Sequence, residues 1–237
     1  MLRKIRLIAA TLCFVLITLL FLDFTGTLHG WFGWLAKIQF LPAVLALNVG
    51  VVLFLVLLTL AFGRVYCSVI CPLGVFQDVI ARIGRRGKKL PYSYSPALSW
   101  LRYGVLFVFV LALVAGVGSL VALLAPYSAY GRIANNLFQP LWMWGNNLFA
   151  YLAARVESYA FYEVDVWMKS LPTFLVALAT LVVLVVLAWR NGRTYCNTIC
   201  PVGTVLGFIS RYSLYRVTID TDKCNSCGLC ARQCKAA

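Results

Sequence analysis

The sequence predicts an all-α integral membrane protein: four transmembrane helices in two parallel pseudo-repeats, followed by a short cysteine-rich segment at the C-terminal end. Three observations predict this. With 62% hydrophobic and 12% charged residues among 237, the chain has too little polar sequence to cover a water-soluble globule. Four apolar stretches, about 4–22, 42–62, 99–125 and 172–190, each supply the roughly 20 helical residues that cross a hydrocarbon core of about 30 Å. Finally, GRVYCSVICPLGVFQDVIAR (63–82) recurs 129 residues later as GRTYCNTICPVGTVLGFISR (192–211), with 10 identities in 20.

The first stretch follows Arg3, Lys4 and Arg6, like the charged start of a secretory signal. Its apolar part is long and TLLFLDFTG offers no small-x-small cleavage site, so it reads as an uncleaved anchor. Lys and Arg near a membrane are retained on the cytoplasmic side. A cytoplasmic N-terminus places 17 of the 21 basic residues inside and only Lys37, Arg132, Arg155 and Lys169 outside. Both termini are then cytoplasmic. The net charge of +14 is therefore a topology signal first and an attraction to membrane lipid headgroups second. The basic residues flank helices and form no soluble basic domain, which argues against a nucleic-acid partner.

The chain divides into a first membrane half (1–98, ending in the basic linker 81–96), a second (99–216), and a cysteine segment (217–237). WFGWLAKIQFLP (31–42) and the aromatic stretch 126–171 read as segments lying along the outer surface. A periplasmic partner or a quinone headgroup is the candidate for docking on the longer one. His29 is the sole histidine and reads as an interfacial polar contact; one histidine cannot build a bis-histidine haem within this chain. Cys13 reads as a small packed residue of the first helix. Phosphate-cradling loops, catalytic triads and dinucleotide fingerprints are absent from the sequence.

The repeated motif carries Cys67 and Cys71, then Cys196 and Cys200. Cysteines at i and i+4 share a helix face. Pro72 and Pro201 predict that each transmembrane helix stops near its second cysteine, leaving the thiols on a rigid cytoplasmic helix end. Gly74 and Gly203 allow a turn before an amphipathic segment in which Phe76, Val79, Ile80 and Ile83 recur at helical spacing. Arg64 and Arg193, three residues before the first cysteine, favour thiolate and offset the negative helix end. Helices running the same way relate the repeats by an axis along the membrane normal, so that the four thiols can converge. A structural role, a disulfide within each pair, a metal or cluster site and a reactive dithiol all fit the spacing; a reducing cytoplasm disfavours the disulfide. A transporter is disfavoured because no stretch carries a mid-membrane ionisable residue.

TDKCNSCGLCARQCKAA holds Cys224, Cys227, Cys230 and Cys234 as C-x2-C-x2-C-x3-C. This is the run that holds a [4Fe–4S] cube in bacterial ferredoxins. Zinc sites separate two cysteine pairs by a longer loop. Asp220 and Asp222 read as turn residues. In two-cluster ferredoxins the fourth cysteine serves the other cluster, and Lys235 stands where that pattern has proline. The chain therefore reads as the N-terminal part of a longer protein, the alternative being that Cys234 completes a lone cube.

Two CxxxCP motifs followed by a ferredoxin-type run resemble the membrane polyferredoxins of the NapH and NosR type, through residues 63–74, 192–203 and 224–234. The resemblance implies electron transfer at the cytoplasmic face of a bacterial inner membrane, between the quinol pool or other donors and partner redox proteins. It carries over to Cys67, Cys71, Pro72, Cys196, Cys200 and Pro201, and to the C-terminal run. A [4Fe–4S] cluster is expected on that run and a further iron–sulfur cluster or other metal on the four motif cysteines. Thiolate-only sites also select copper(I), so the alternative is a thiol-dependent copper-handling or reducing assembly factor for a respiratory oxidase.

Overall fold

The computed structural model describes residues 2–23, 26–84, 98–155, 162–166, 170–215 and 227. Every regular element among these is helical. Helix α1 (Leu2–Leu22) is followed by α2 (Thr27–Phe32), α3 (Trp34–Lys37) and α4 (Phe40–Leu45), short turns that fold back so that Leu35 packs on Ile17 and Leu20 of α1. Next come α5 (Val49–Phe62), α6 (Val65–Val69) and α7 (Pro72–Gly84), which complete the first half. The second half contains α8 (Ser99–Val114), α9 (Gly118–Leu124), α10 (Pro126–Ile133), a π-helical turn (Ala134–Phe138) and α11 (Gln139–Ala154). It ends in α12 (Leu171–Asn191), α13 (Thr194–Thr198), α14 (Pro201–Ile209) and a 3₁₀ turn, Ser210–Tyr212.

Two helices, over Lys4–Leu22 and Leu171–Arg190, are long and apolar enough to cross a membrane. The expected spans 42–62 and 99–125 are each broken. At 14 residues α5 covers roughly 21 Å, short of the hydrocarbon thickness. Both breaks use one hydrogen-bond pattern. Asn48 N–H donates to Ala43 O across Leu47 at φ 51°, and Val117 N–H donates to Ala112 O across Gly116 at φ 72°. This i to i−5 bond over a left-handed residue closes a helix end. A new helix then starts at once, opened in the first half by the Asn48 carboxamide oxygen accepting from Val51 N–H. An apolar run long enough to span therefore turns a corner, which hydropathy cannot register. The outward faces still carry exposed Leu12, Phe54, Leu57, Phe107, Val110, Val182 and Val186, an extent of bare apolar surface that suits lipid contact.

The main core surrounds the repeated motif. Cys67, Cys71 and Cys200 are buried with Tyr66, Leu55 of α5, Leu184 of α12, and Tyr130, Ile133 and Ala134 from α10 and the turn after it. The start of the expected outer-surface segment is thus interior: Ala129, Tyr130 and Ile133 have no exposed surface. Its aromatic residues are used for packing. Tyr130 meets Phe14 and Phe21 of α1 and Phe76 of α7, and its hydroxyl shares a 2.6 Å hydrogen bond with Thr18. From residue 135 onward the described residues of that segment, α11 among them, keep the expected half-exposed character.

Because a left-handed non-glycine residue costs about 1–2 kcal/mol, Gly116→Leu should lower the unfolding free energy by about that amount, read as a drop of a few degrees in the thermal midpoint in detergent. Leu47→Gly should be neutral or stabilising by under about 1 kcal/mol, since relief of strain is offset by chain entropy. Equal destabilisation by both would show that the two corners are not equivalent.

Candidate redox site at the repeated cysteine motif

Each motif is a folded-back turn rather than a helix end. Helix α5 stops at Gly63 (φ 69°, ψ −142°) and α12 at Gly192 (φ 78°, ψ −116°), a backbone region that side-chain-bearing residues avoid. Five-residue helices α6 and α13 follow, carrying Cys67 and Cys196. They end alike: Ile70 and Cys71 N–H both donate to Tyr66 O, at 3.0 and 2.9 Å, and Ile199 and Cys200 N–H both donate to Tyr195 O, at 3.0 Å each. The proline then opens the next helix, where its missing N–H is no loss. The two cysteines of a motif are therefore not on one helix face. The second caps a new helix: Cys200 Sγ accepts from Gly203 N–H at 3.3 Å, and the Leu73 and Gly74 backbone N–H groups favour the thiolate of Cys71 against the effect of burial. Sulfur at a helix N-terminus faces positive backbone dipoles, which favours thiolate character.

The glycine two residues after each proline has a role other than the expected turn. Gly74 and Gly203 lie within α7 and α14 at ordinary helical φ. A Cβ on Gly74 would overlap the Cys67 carbonyl oxygen, and one on Gly203 the Cys196 carbonyl oxygen. Absence of a side chain lets the second helix close onto the backbone of the first cysteine, which sets the spacing of the two thiols.

The halves interlock through their arginines. Arg193 crosses to α7 of the first half, with Nε and Nη2 donating to the two Asp78 carboxylate oxygens at 2.9 and 2.6 Å. Arg64 crosses the opposite way, with Nη1 donating to Asn197 Oδ1 at 2.8 Å. Gln77, 1% exposed, donates from Nε2 to Cys196 Sγ at 3.2 Å, while its Oε1 is buried without a partner. Tyr66 is tied down by donating to Gln39 Oε1 and accepting from Phe40 N–H, both at 3.0 Å. The arginines were expected beside their own cysteines. Their partners across the repeat, Asp78, Asn197 and Gln77, carry no sequence signal, because a residue 115 or more positions away in the chain decides their role.

All four thiols are buried. Burial pushes each above the ordinary cysteine value, Cys196 to about 12, and for Cys67 the charges of Arg64 and Arg193 oppose that rise. The two motifs are electrostatic neighbours, since Cys71, Cys67 and Cys200 each raise or share the shift of Cys196 or are raised by it. Among the described residues, however, no three His, Cys, Asp or Glu side chains close on one point as ligands of a single ion would. A cube spreads its thiolates wider than a single ion does. Four soft sulfur donors, backbone and amide N–H groups aimed at sulfur, and two arginines fit an anionic, thiolate-ligated cluster. Of the C-terminal run, Cys227 is exposed, and Cys224, Cys230 and Cys234 lie outside the described residues, as do Asp220 and Asp222.

Comparison with known proteins agrees with the donor set. A family described as a 4Fe–4S binding domain matches residues 44–91 and again 173–218, one match over each CxxxCP motif. A second family of the same description matches 217–236. The methylamine utilization ferredoxin-type protein MauN of Paracoccus denitrificans is 26% identical over 81% of this chain and 56% of its own length. The ferredoxin-type protein NapH of Haemophilus influenzae is 29% identical over 83% of this chain and 56% of its own length. An uncharacterized protein of Methanocaldococcus jannaschii is 23% identical over 97% of this chain and 73% of its own. The chain thus spans about half the length of the two ferredoxin-type relatives. No solved structure matches it. The copper-handling alternative finds no support, since neither named relative is described by copper and no single-ion thiolate cage is present among the described residues.

Replacing Gly74 or Gly203 by alanine should force the second helix away from the first cysteine and cost about 1–3 kcal/mol, as overpacking does. Alkylation of Cys67 or Cys196, followed by mass spectrometry, should speed up by an order of magnitude or more in the respective variant while Cys227 is unaffected. Unchanged rates would show that the glycines do not set the thiol geometry.

Proposed function

We propose that this chain, a ferredoxin-type iron–sulfur electron transport protein consistent with a NapH-type polyferredoxin, sits in a bacterial inner membrane with both termini cytoplasmic. There it relays electrons at the cytoplasmic face to or from a partner redox system, with the quinol pool as one candidate donor. The observation that carries this reading is the doubled motif, in which two chain segments fold identically and bring four buried thiols beside two arginines. Cys67, Cys71, Cys196 and Cys200 hold one iron–sulfur cluster, and Cys224, Cys227, Cys230 and Cys234 hold a [4Fe–4S] cluster.

When bound, such clusters accept and release single electrons without breaking bonds in the protein. The chain's part is to make that exchange easy and selective. Burial among Tyr66, Tyr195, Leu184 and Leu206 keeps water off the sulfurs. N–H donors from Gly203, Leu73, Gly74 and Gln77 offset negative charge on them, and Arg64 and Arg193 offset it further. Rigid interlocking of the halves keeps the ligand positions the same whether the charge is present or absent. The basic residues facing the cytoplasm in this topology suit lipid headgroups and acidic redox partners.

Iron and acid-labile sulfide per chain, measured on anaerobically purified protein, test the reading. Serine at Cys67, Cys71, Cys196 and Cys200 should remove one cluster's worth of both and leave the rest. Serine at Cys224, Cys227 and Cys230 should remove a different share. Iron unchanged by the first variant would end the assignment of the doubled motif.

A further inference from the structure

The two halves repeat in backbone but not in charge. The offset that superposes the motifs sets Arg64 against Arg193, Gln77 against Leu206 and Asp78 against Gly207. Arg193 therefore meets a carboxylate, and the pair is largely shielded, with 15% and 21% of the side chains exposed. Arg64 reaches the equivalent place on the other half and finds glycine. Its Nη2 lies directly over Gly207, and so does Nη2 of Arg102 from α8; a Cβ there would overlap both. Among the described residues, the partners Arg64 and Arg102 find are neutral. Asn197 Oδ1 accepts from Arg64 at 2.8 Å, Thr204 O accepts from Arg102 at 3.4 Å, and Arg102 Nε is buried without a partner. Among the described residues, Arg193–Asp78 is the ion pair of this region. Two guanidinium groups brought together without a carboxylate among the described residues repel each other, an arrangement that costs stability unless another negative charge is close.

We infer that Gly207 keeps Arg64 and Arg102 uncompensated so that their charge acts on the cluster held by the motif cysteines and raises its reduction potential; this rests on the reading of those cysteines as cluster ligands. Arg64 is a positioning and tuning residue, not a catalytic one. One-electron reduction takes a cube with four thiolates from a dianion to a trianion, the electron coming from a one-electron redox carrier, with no bond made or broken. A fixed, partly buried cation next to the Cys67 side stabilises the trianion more than the dianion. Asp78 offsets part of the same effect from Arg193, which leaves the Arg64 side the more strongly tuned.

The test uses Gly207→Asp and Gly207→Asn in the full chain, with iron content and EPR-monitored redox titration using dithionite. The two side chains share a shape, so their difference reads charge alone. Expected are wild-type iron in both, a lower midpoint potential for one cluster in Gly207→Asp than in Gly207→Asn, and an unshifted potential for the C-terminal cluster. Equal potentials at full iron would overturn the inference and leave the cluster assignment standing. Iron that does not depend on Cys67 and Cys200 would overturn the assignment and the inference with it. Where Gly207→Asp fails to fold, Arg64→Gln should lower the potential and Arg64→Lys should restore it; an equal shift in both would likewise overturn the proposal.

Discussion

The contact on which the site depends is between a glycine Cα and a backbone carbonyl. Gly74 over Cys67 and Gly203 over Cys196 come closer than any side-chain-bearing residue allows. That approach lets a five-residue helix and the helix after it pack as one turn, with a cysteine in the first and a cysteine capping the second. The proline between them removes the N–H that would extend the first helix, and supplies a φ suited to starting the next. CxxxCPxG is therefore a description of a backbone fold. The thiols are its consequence as much as its purpose.

Interlock between the halves follows from that turn. Once each motif folds back, the arginine before it reaches across to the other repeat, where Asp78 or Asn197 receives it, while its charge still acts on its own motif's first cysteine. Cross-repeat bonds at buried positions hold the two halves in one arrangement, and a cluster bridging them would hold them further. Aromatic packing does the remaining work: Phe14, Phe76, Tyr130 and Phe138 form a connected set joining α1, α7, α10 and the π-turn around the cysteine core. A π-turn at Ala134–Phe138 shifts the helix register there, which brings Phe138 onto Phe76.

The sequence made much of this legible. Helical character and the doubled motif follow from composition and local steric rules, whereas the expected run of each long helix to its second cysteine fails, because Gly63 and Gly192 end α5 and α12 before the first. Hydropathy did not register the breaks within 42–62 and 99–125, because a left-handed corner leaves an apolar run unchanged; Leu47 carries no signal at all. It erred at 126–138, where aromatic residues suited to a membrane surface pack instead into the core.

By itself, the sequence determined which residues can ligate soft metals, that their setting recurs, and that the chain is built for an apolar environment. Those are properties of side-chain chemistry and short-range backbone sterics, which neighbours in sequence decide. Tertiary structure alone decided that the first and second cysteines sit on different helices, that Gln77 addresses Cys196, and that Arg193 meets a carboxylate while Arg64 meets the Asn197 carboxamide. Each of those depends on which atoms from residues a hundred positions apart share a few ångströms, and electrostatic effects fall off with distance in space, not along the chain.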